Sequence, residues 1–208
     1  MSAGNALAVV DPHASNPGAK TLDVINTGGT LIATNSLTID AAKFSADGLW
    51  TSGKDVSVAL TQDITNSTTV QAAGNLSYGT TGHFTNNGRL LAGQTLTVGG
   101  SVVDNNASGE MSGANTTVNA GTLNNRGLVD SVGDTRINAA TVNNVGTGRV
   151  YGDQIAIAAG TLNNDTETVA GVASAGTIAA RNSLDIGASV VNNREHALIF
   201  SAGDMYVG

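Results

Sequence analysis

The sequence predicts an all-β parallel β-helix, a solenoid of about ten coils of ~20 residues with three short strands per coil. Three observations carry this. Gly, Ala, Thr, Asn and Ser make up 119 of the 208 residues, while seven residues are aromatic, two are Pro and none is Cys. A thick globular core of large side chains does not fit that composition. At 40% hydrophobic and 12% charged, the chain is also unlike a disordered one, and Lys, Glu, Arg and Leu are too sparse for a coiled coil. The second observation is a three-residue segment that recurs in phase. The third is punctuation by Gly and Asn between the copies.

In chain order, residues 1–21 read as an irregular start, or one that came in with an added Met, and Asn16-Pro17-Gly18 reads as a turn. A single β-helix domain is expected over 22–208. Leu22-Asp23-Val24 resembles a shortened copy of the first segment. Full copies follow as Leu37-Thr38-Ile39, Val56-Ser57-Val58, Leu76-Ser77-Tyr78 and Leu96-Thr97-Val98. Thr116-Thr117-Val118, Thr135-Arg136-Ile137, Ile155-Ala156-Ile157, Leu184-Asp185-Ile186 and Met205-Tyr206-Val207 continue the series. Alternation places the outer two residues of each copy on one face, which must point inward. No window sustains the three-and-four apolar spacing of a helix.

A second segment follows each first one by about five residues. It is an apolar residue before Asn, as in Phe84-Thr85-Asn86-Asn87, Leu123-Asn124-Asn125 and Leu162-Asn163-Asn164. A third, looser segment includes Leu90-Leu91, Met111, Leu128-Val129, Val150-Tyr151 and Leu198-Ile199-Phe200, and Trp50 is expected in or near an early copy. Glycines at 53, 74, 93, 113, 133, 152 and 203 are assigned to a corner needing positive φ. Asn-Asn is assigned to a second corner, because Asn tolerates the left-handed region. Stacked Asn side chains are also expected to form amide ladders.

One step is long. Roughly nine or ten extra residues lie within Asp165 to Gly176, where insertions in solenoids protrude as loops. Asp165, Thr166, Glu167 and Thr168 are therefore the candidate partner contacts, since loops carry function. A neutral insertion is the plainer alternative.

The charge of −7, with no basic cluster, argues against nucleic acid and anionic lipid as partners. No apolar run approaches the ~20 residues of a membrane helix, so no membrane insertion of this segment is expected. No Cys-based zinc site is possible. The start lacks a basic and then apolar signal sequence. The chain is therefore expected to be an internal segment of a longer protein.

The strings Ala120-Gly121-Thr122-Leu123-Asn124-Asn125-Arg126-Gly127, Ala140-Thr141-Val142-Asn143-Asn144 and Ala159-Gly160-Thr161-Leu162-Asn163-Asn164 resemble filamentous haemagglutinin repeats. So does Val191-Asn192-Asn193-Arg194-Glu195-His196-Ala197-Leu198-Ile199. The similarity is strongest from about 56 to 208 and weaker over 1–55. Such repeats belong to two-partner secretion exoproteins of Gram-negative bacteria, including filamentous adhesins and contact-dependent growth inhibition exoproteins. The resemblance implies a right-handed β-helix, export through an outer-membrane transporter, and a cell-surface or secreted location. It further implies a stalk that presents a receptor-binding region or a toxin. The Val-Glu-Asn-Asn boundary before many toxin domains is missing, and the Asn-Pro motif of the secretion domain has only a faint echo at Asn16-Pro17.

The rival class is a β-helical polysaccharide-degrading enzyme, which needs two nearby carboxyls. Asp130, Asp134, Asp153 and Asp185 are the candidates, with Asp134 and Asp153 placed on neighbouring coils. Solvated corner acids are the simpler interpretation. The histidines at 13, 83 and 196 lack metal or triad spacing, so no catalytic residue, metal or cofactor is assigned. Outward Thr38, Thr97 and Thr117 share their row with Arg136, Asp185 and Tyr206, which spoils a flat ice-binding face. The expectation is a non-enzymatic stalk, with an adhesive module binding a receptor or glycan as the alternative.

Overall fold

The computed structural model describes residues 1–45 and 47–208. The fold is an all-β parallel solenoid of about nine stacked coils, consistent with a right-handed β-helix. An incomplete tenth coil consists of strands Leu198–Ser201 and Asp204–Val207. The expected three strands per coil are present, as in Thr69–Ala72, Leu76–Thr80 and His83–Asn86. Further along, the first and second segments merge into one bent strand, as in Thr95–Asn105 and Asn115–Asn125.

Register follows the sequence repeat. Leu76, Leu96, Thr116, Thr135, Ile155, Leu184 and Met205 form one parallel column. Ile64, Phe84, Val103, Leu123, Val142, Leu162 and Val191 form the second. Val70, Leu90, Met111, Val129, Val150, Ile178 and Ile199 form the third. The three columns meet in one core, in which Leu96, Val98, Val103, Leu123, Val129, Ile137 and Val142 are fully buried. Each such aliphatic contributes roughly 1.5–3 kcal/mol, so several per coil offset the ordering entropy of ~20 residues only when coils stack. The early coils hold the large rings instead. Trp50 lies in the third-segment strand Leu49–Ser52. It packs between Phe44 and Tyr78 at centroid distances of 5.2 and 5.7 Å, and Tyr78 meets Phe84 at 5.0 Å.

Three expectations need correction. The coil pattern begins at Ser2 and not at residue 22. Ser2–Ala3 pairs with Ile32 and Ala33, and Leu7 and Val9 pair with Leu37 and Ile39. Alternation in Ala6–Val10 was hidden by the small Ala residues. Leu22-Asp23-Val24 is a second-segment copy, because Val24 pairs with Phe44. Residues 11–22 form an irregular corner between the two, built on the buried Asp11. Its carboxylate accepts the backbone N–H groups of His13, Thr21 and Leu22 at 2.7, 2.7 and 2.6 Å, and Lys20 pairs with Asp40 beside it.

The corners also work differently from the expectation. Positive φ occurs at Gly28, Gly146 and Gly171, and at Ala170, Glu195 and His196, but at none of the seven repeated glycines. Those glycines are needed for close stacking. A Cβ on Gly93 would lie 2.1 Å from the Ala73 carbonyl oxygen, and one on Gly203 2.1 Å from that of Asn182. At the Asn corner the inner Asn turns into the core. Asn66, Asn86, Asn105, Asn125, Asn144 and Asn164 are fully buried. Each donates one amide hydrogen to the next Asn side chain at 2.7–2.8 Å, the last to Asn193. Each gives the other to a backbone carbonyl, as Asn125 does to Arg149 at 3.2 Å. A second, outer ladder joins Asn124, Asn143, Asn163 and Asn192.

Candidate functional site

The insertion is a β-hairpin. Thr166 pairs with Ala175, Glu167 with Ser174, Thr168 with Ala173 and Val169 with Val172, all antiparallel. Ala170 and Gly171 form the turn with φ of 50° and 80°. Both values are positive, the mirror-image turn whose twist matches a two-residue hairpin. At the base, the Gly176 N–H donates to the Asp165 carbonyl at 3.0 Å, so the hairpin leaves and rejoins the coil at one point.

A latch fixes the hairpin over the Asn corner. Arg126, two coils earlier, donates from Nε and Nη2 to the Glu167 carboxylate at 2.7 and 2.8 Å. These bonds and the guanidinium charge hold Glu167 below the usual carboxylate range, and the same carboxylate raises Arg126. Gly146 sits under Glu167, where a Cβ would lie 3.1 Å from the Glu167 Cβ. Thr166 also bonds the Glu195 carbonyl. One face of the hairpin, with Glu167, Val169, Val172 and Ser174, lines a cleft of about 230 Å³ over Ala107 and Thr147. Val169 and Val172 stay 62% and 66% exposed. Of the four candidate contacts, Glu167 is committed to the latch, and Asp165 and Thr166 to the base.

Two of the candidate carboxylates are engaged by arginines. Asp134 is held by Arg136 at 3.0 Å, and Asp153 lies 3.8 Å from Arg181. The Arg181 guanidinium also reaches the carbonyls of Ser131 and Val132 at 2.6 and 2.9 Å, so it acts as a clamp between coils. Asp130 lies on a separate strand, Leu128–Ser131. Asp134 and Asp185 do line one hollow of about 270 Å³ with Arg136, Ala156 and Tyr206. Periodicity did not reveal this hollow. Its signal was a single Ala at an outward position occupied in adjacent coils by Arg136 and Asp185.

His83 bonds Asp104 at 2.7 Å and His13 lies 3.3 Å from Asp11. Among the described residues no group of three His, Cys, Asp or Glu could hold a metal ion. No helix among them is long and apolar enough to cross a membrane.

No curated protein and no solved structure matches the chain. Residues 2–77 match the family model of the haemagglutinin repeat. The match begins where the first paired strand begins, at Ser2, and it takes in nearly all of residues 1–55, where the weaker similarity was expected. The coils after it continue the same columns in register, so the chain is a β-solenoid that carries a haemagglutinin repeat over residues 2–77.

Proposed function

We propose that this β-solenoid is a structural stalk segment of a large secreted surface exoprotein. It sets distance and presents adhesive or toxin regions for contact between cells. The observation that supports this most is the parallel stacking of about nine coils. Each coil adds one strand spacing of ~4.8 Å to a rod, and the plan is broken chiefly by the corner of residues 11–22 and by the hairpin. The haemagglutinin repeat supports the same reading, with export through an outer-membrane two-partner secretion transporter and residence on the surface of a Gram-negative cell. Of the candidate carboxylates, Asp134 and Asp153 are paired with arginines, which gives no support to an enzymatic role for them.

The test is made in the parent exoprotein. Removing the coil formed by residues 96–115 shortens the stalk while Thr116 takes the place of Leu96. Contact-dependent activity is expected to change with coil number and to tolerate exchanges such as Thr97→Ser and Thr117→Ser on the outward face. Activity lost on outward exchange with coil number unchanged would contradict a spacer.

A second reading has support from the hairpin. Its exposed valines and cleft suit contact with a receptor, making the segment itself adhesive. Deleting residues 166–175 joins Asp165 to Gly176, which already touch. Saturable binding of the chain to bacterial or epithelial cells, lost on that deletion, is the expected outcome for this reading. Equal binding by both versions would remove it.

A further inference from the structure

The geometry points to a covalent modification within the chain: an isopeptide bond between Nζ of Lys20 and the side-chain carboxyl of Asp40. It goes beyond the stalk reading, which rests on the stacking of coils alone.

The irregular corner of residues 11–22 brings the two groups together. Lys20 follows the 3-10 turn Pro17–Ala19, and Asp40 ends the strand Ser36–Asp40. Asp11 fixes their approach. Its carboxylate accepts the N–H groups of Thr21 and Leu22, next to Lys20, and its own N–H donates to the Asp40 carbonyl at 2.7 Å. The register partners of Asp40 on the neighbouring coils are Val10 and Ala59, both apolar. Lysine is almost never buried without a partner. Lys43 and Lys54 follow that rule and are exposed. The Lys20 side chain is only 5% exposed, and it is paired with Asp40.

The pair lacks what a buried ion pair needs. The Asp40 Oδ1 atom that faces the Lys20 amine is itself buried and accepts no hydrogen bond. The amine therefore meets the carboxyl outside the hydrogen-bonding directions of that oxygen. A buried charge without hydrogen bonds is costly, and condensation removes both charges. One proton passes from the Lys20 ammonium to the Asp40 carboxylate. The Nζ lone pair then attacks Cγ and the C–N bond forms. The C–O bond breaks, and the hydroxyl leaves as water with a second amine proton. No oxidant and no cofactor is consumed. Well-oriented groups react with effective molarities of roughly 10⁵–10⁸ M, so a held amine and carboxyl need no activated partner. The bond closes a ring over residues 20–40 and fastens the corner to the strand Ser36–Asp40. Such a ring also limits the unfolded chain.

The experiment is mass spectrometry of the intact 208-residue chain after full denaturation, followed by tandem analysis of its tryptic peptides. The chain is expected to be lighter than its sequence by one water molecule. Trypsin is expected to leave residues 1–43 as one looped peptide short of that water, because a linked Lys20 no longer admits cleavage. Lys20→Arg and Asp40→Ala are each expected to carry their full sequence mass and to melt several degrees below the parent. In both variants trypsin cuts after residue 20. A cyclic imide elsewhere in the chain would also lack one water, and hydroxylamine tells the two apart: it opens the imide and spares the isopeptide bond. A parent at its full sequence mass overturns the proposal. So does a water loss that persists in Lys20→Arg or yields to hydroxylamine. The decisive reading is made on the parent, so it stands even where a variant fails to fold. None of these outcomes bears on the spacer reading, which is tested by coil number.

Discussion

Asn125 shows what one residue does in this fold. It accepts an amide hydrogen from Asn105 and donates to Asn144 and to the Arg149 carbonyl, all without access to water. Truncation orphans buried partners on both neighbouring coils, each at about 1–3 kcal/mol. Asn125→Ala is expected to cost about 3 kcal/mol in denaturant unfolding, against about 1 kcal/mol or less for Asn143→Ala in the half-buried outer ladder. Equal costs would show that the inner ladder has no special role. Tyr78 is the opposite case. Its hydroxyl is buried with no hydrogen-bond partner, and burial raises its pKa. Tyr78→Phe removes that unsatisfied group and is expected to stabilise the chain by about 1 kcal/mol, read as a rise in melting temperature. Asp11 is held at a pKa of about 2, chiefly by the Leu22 N–H. A lowered carboxyl pKa gives stability that is full above the unfolded value near 3.8 and fades as pH falls towards 2. Asp11→Asn is therefore expected to melt lower than the parent at pH 7, with the gap closing between pH 4 and 2. A pH-independent gap would contradict the carboxylate's role. In the sequence, the Asn repeat was legible. Its inward turn was not, because an Asn at a corner looks the same whether it serves left-handed backbone or a ladder.

At the scale of elements, the hairpin was legible only as surplus length. Pairing between Val169 and Val172 across Ala170-Gly171 was masked because Ala is an unusual residue at positive φ. The latch was equally hidden, since Arg126 and Glu167 lie 41 residues apart and meet only through the two-coil offset. The ion pair is partly exposed, so its worth is held to roughly 0.2–1 kcal/mol by screening. Its main effect is expected in order, not global stability. Glu167→Gln should speed amide exchange across residues 166–175 severalfold while leaving the coil amides protected. The parent hairpin should loosen in the same way below pH 4.5, the ordinary Glu value, as the carboxylate takes up its proton. Unchanged exchange in the variant would mean that Gly146 and the base contacts hold the hairpin alone. The expected start at residue 22 failed for a related reason. Ala6–Val10 alternates against small residues, and the 12-residue detour between Asp11 and Leu22 broke the visible period.

For the whole molecule, a period of about 20 residues with inward positions one and three was enough to give the fold class. It did so because each coil repeats the same three contacts with the next one. The lateral surface was less legible. The hollow over Ala156 depends on which outward residue is small beside which large one, and periodicity is silent about that. Stability and length should both be modular. A series of chains with residues 96–115 deleted, present once, doubled and tripled keeps every column in phase, because Leu96 and Thr116 are register partners. The most direct measurement is the maximum dimension of these chains by small-angle X-ray scattering, beside their unfolding free energies. The account predicts folded rods that lengthen by ~4.8 Å per added coil, with stability rising at each step. Dimensions that do not grow with coil number, or stability that stays flat, would contradict a stacked spacer built coil on coil.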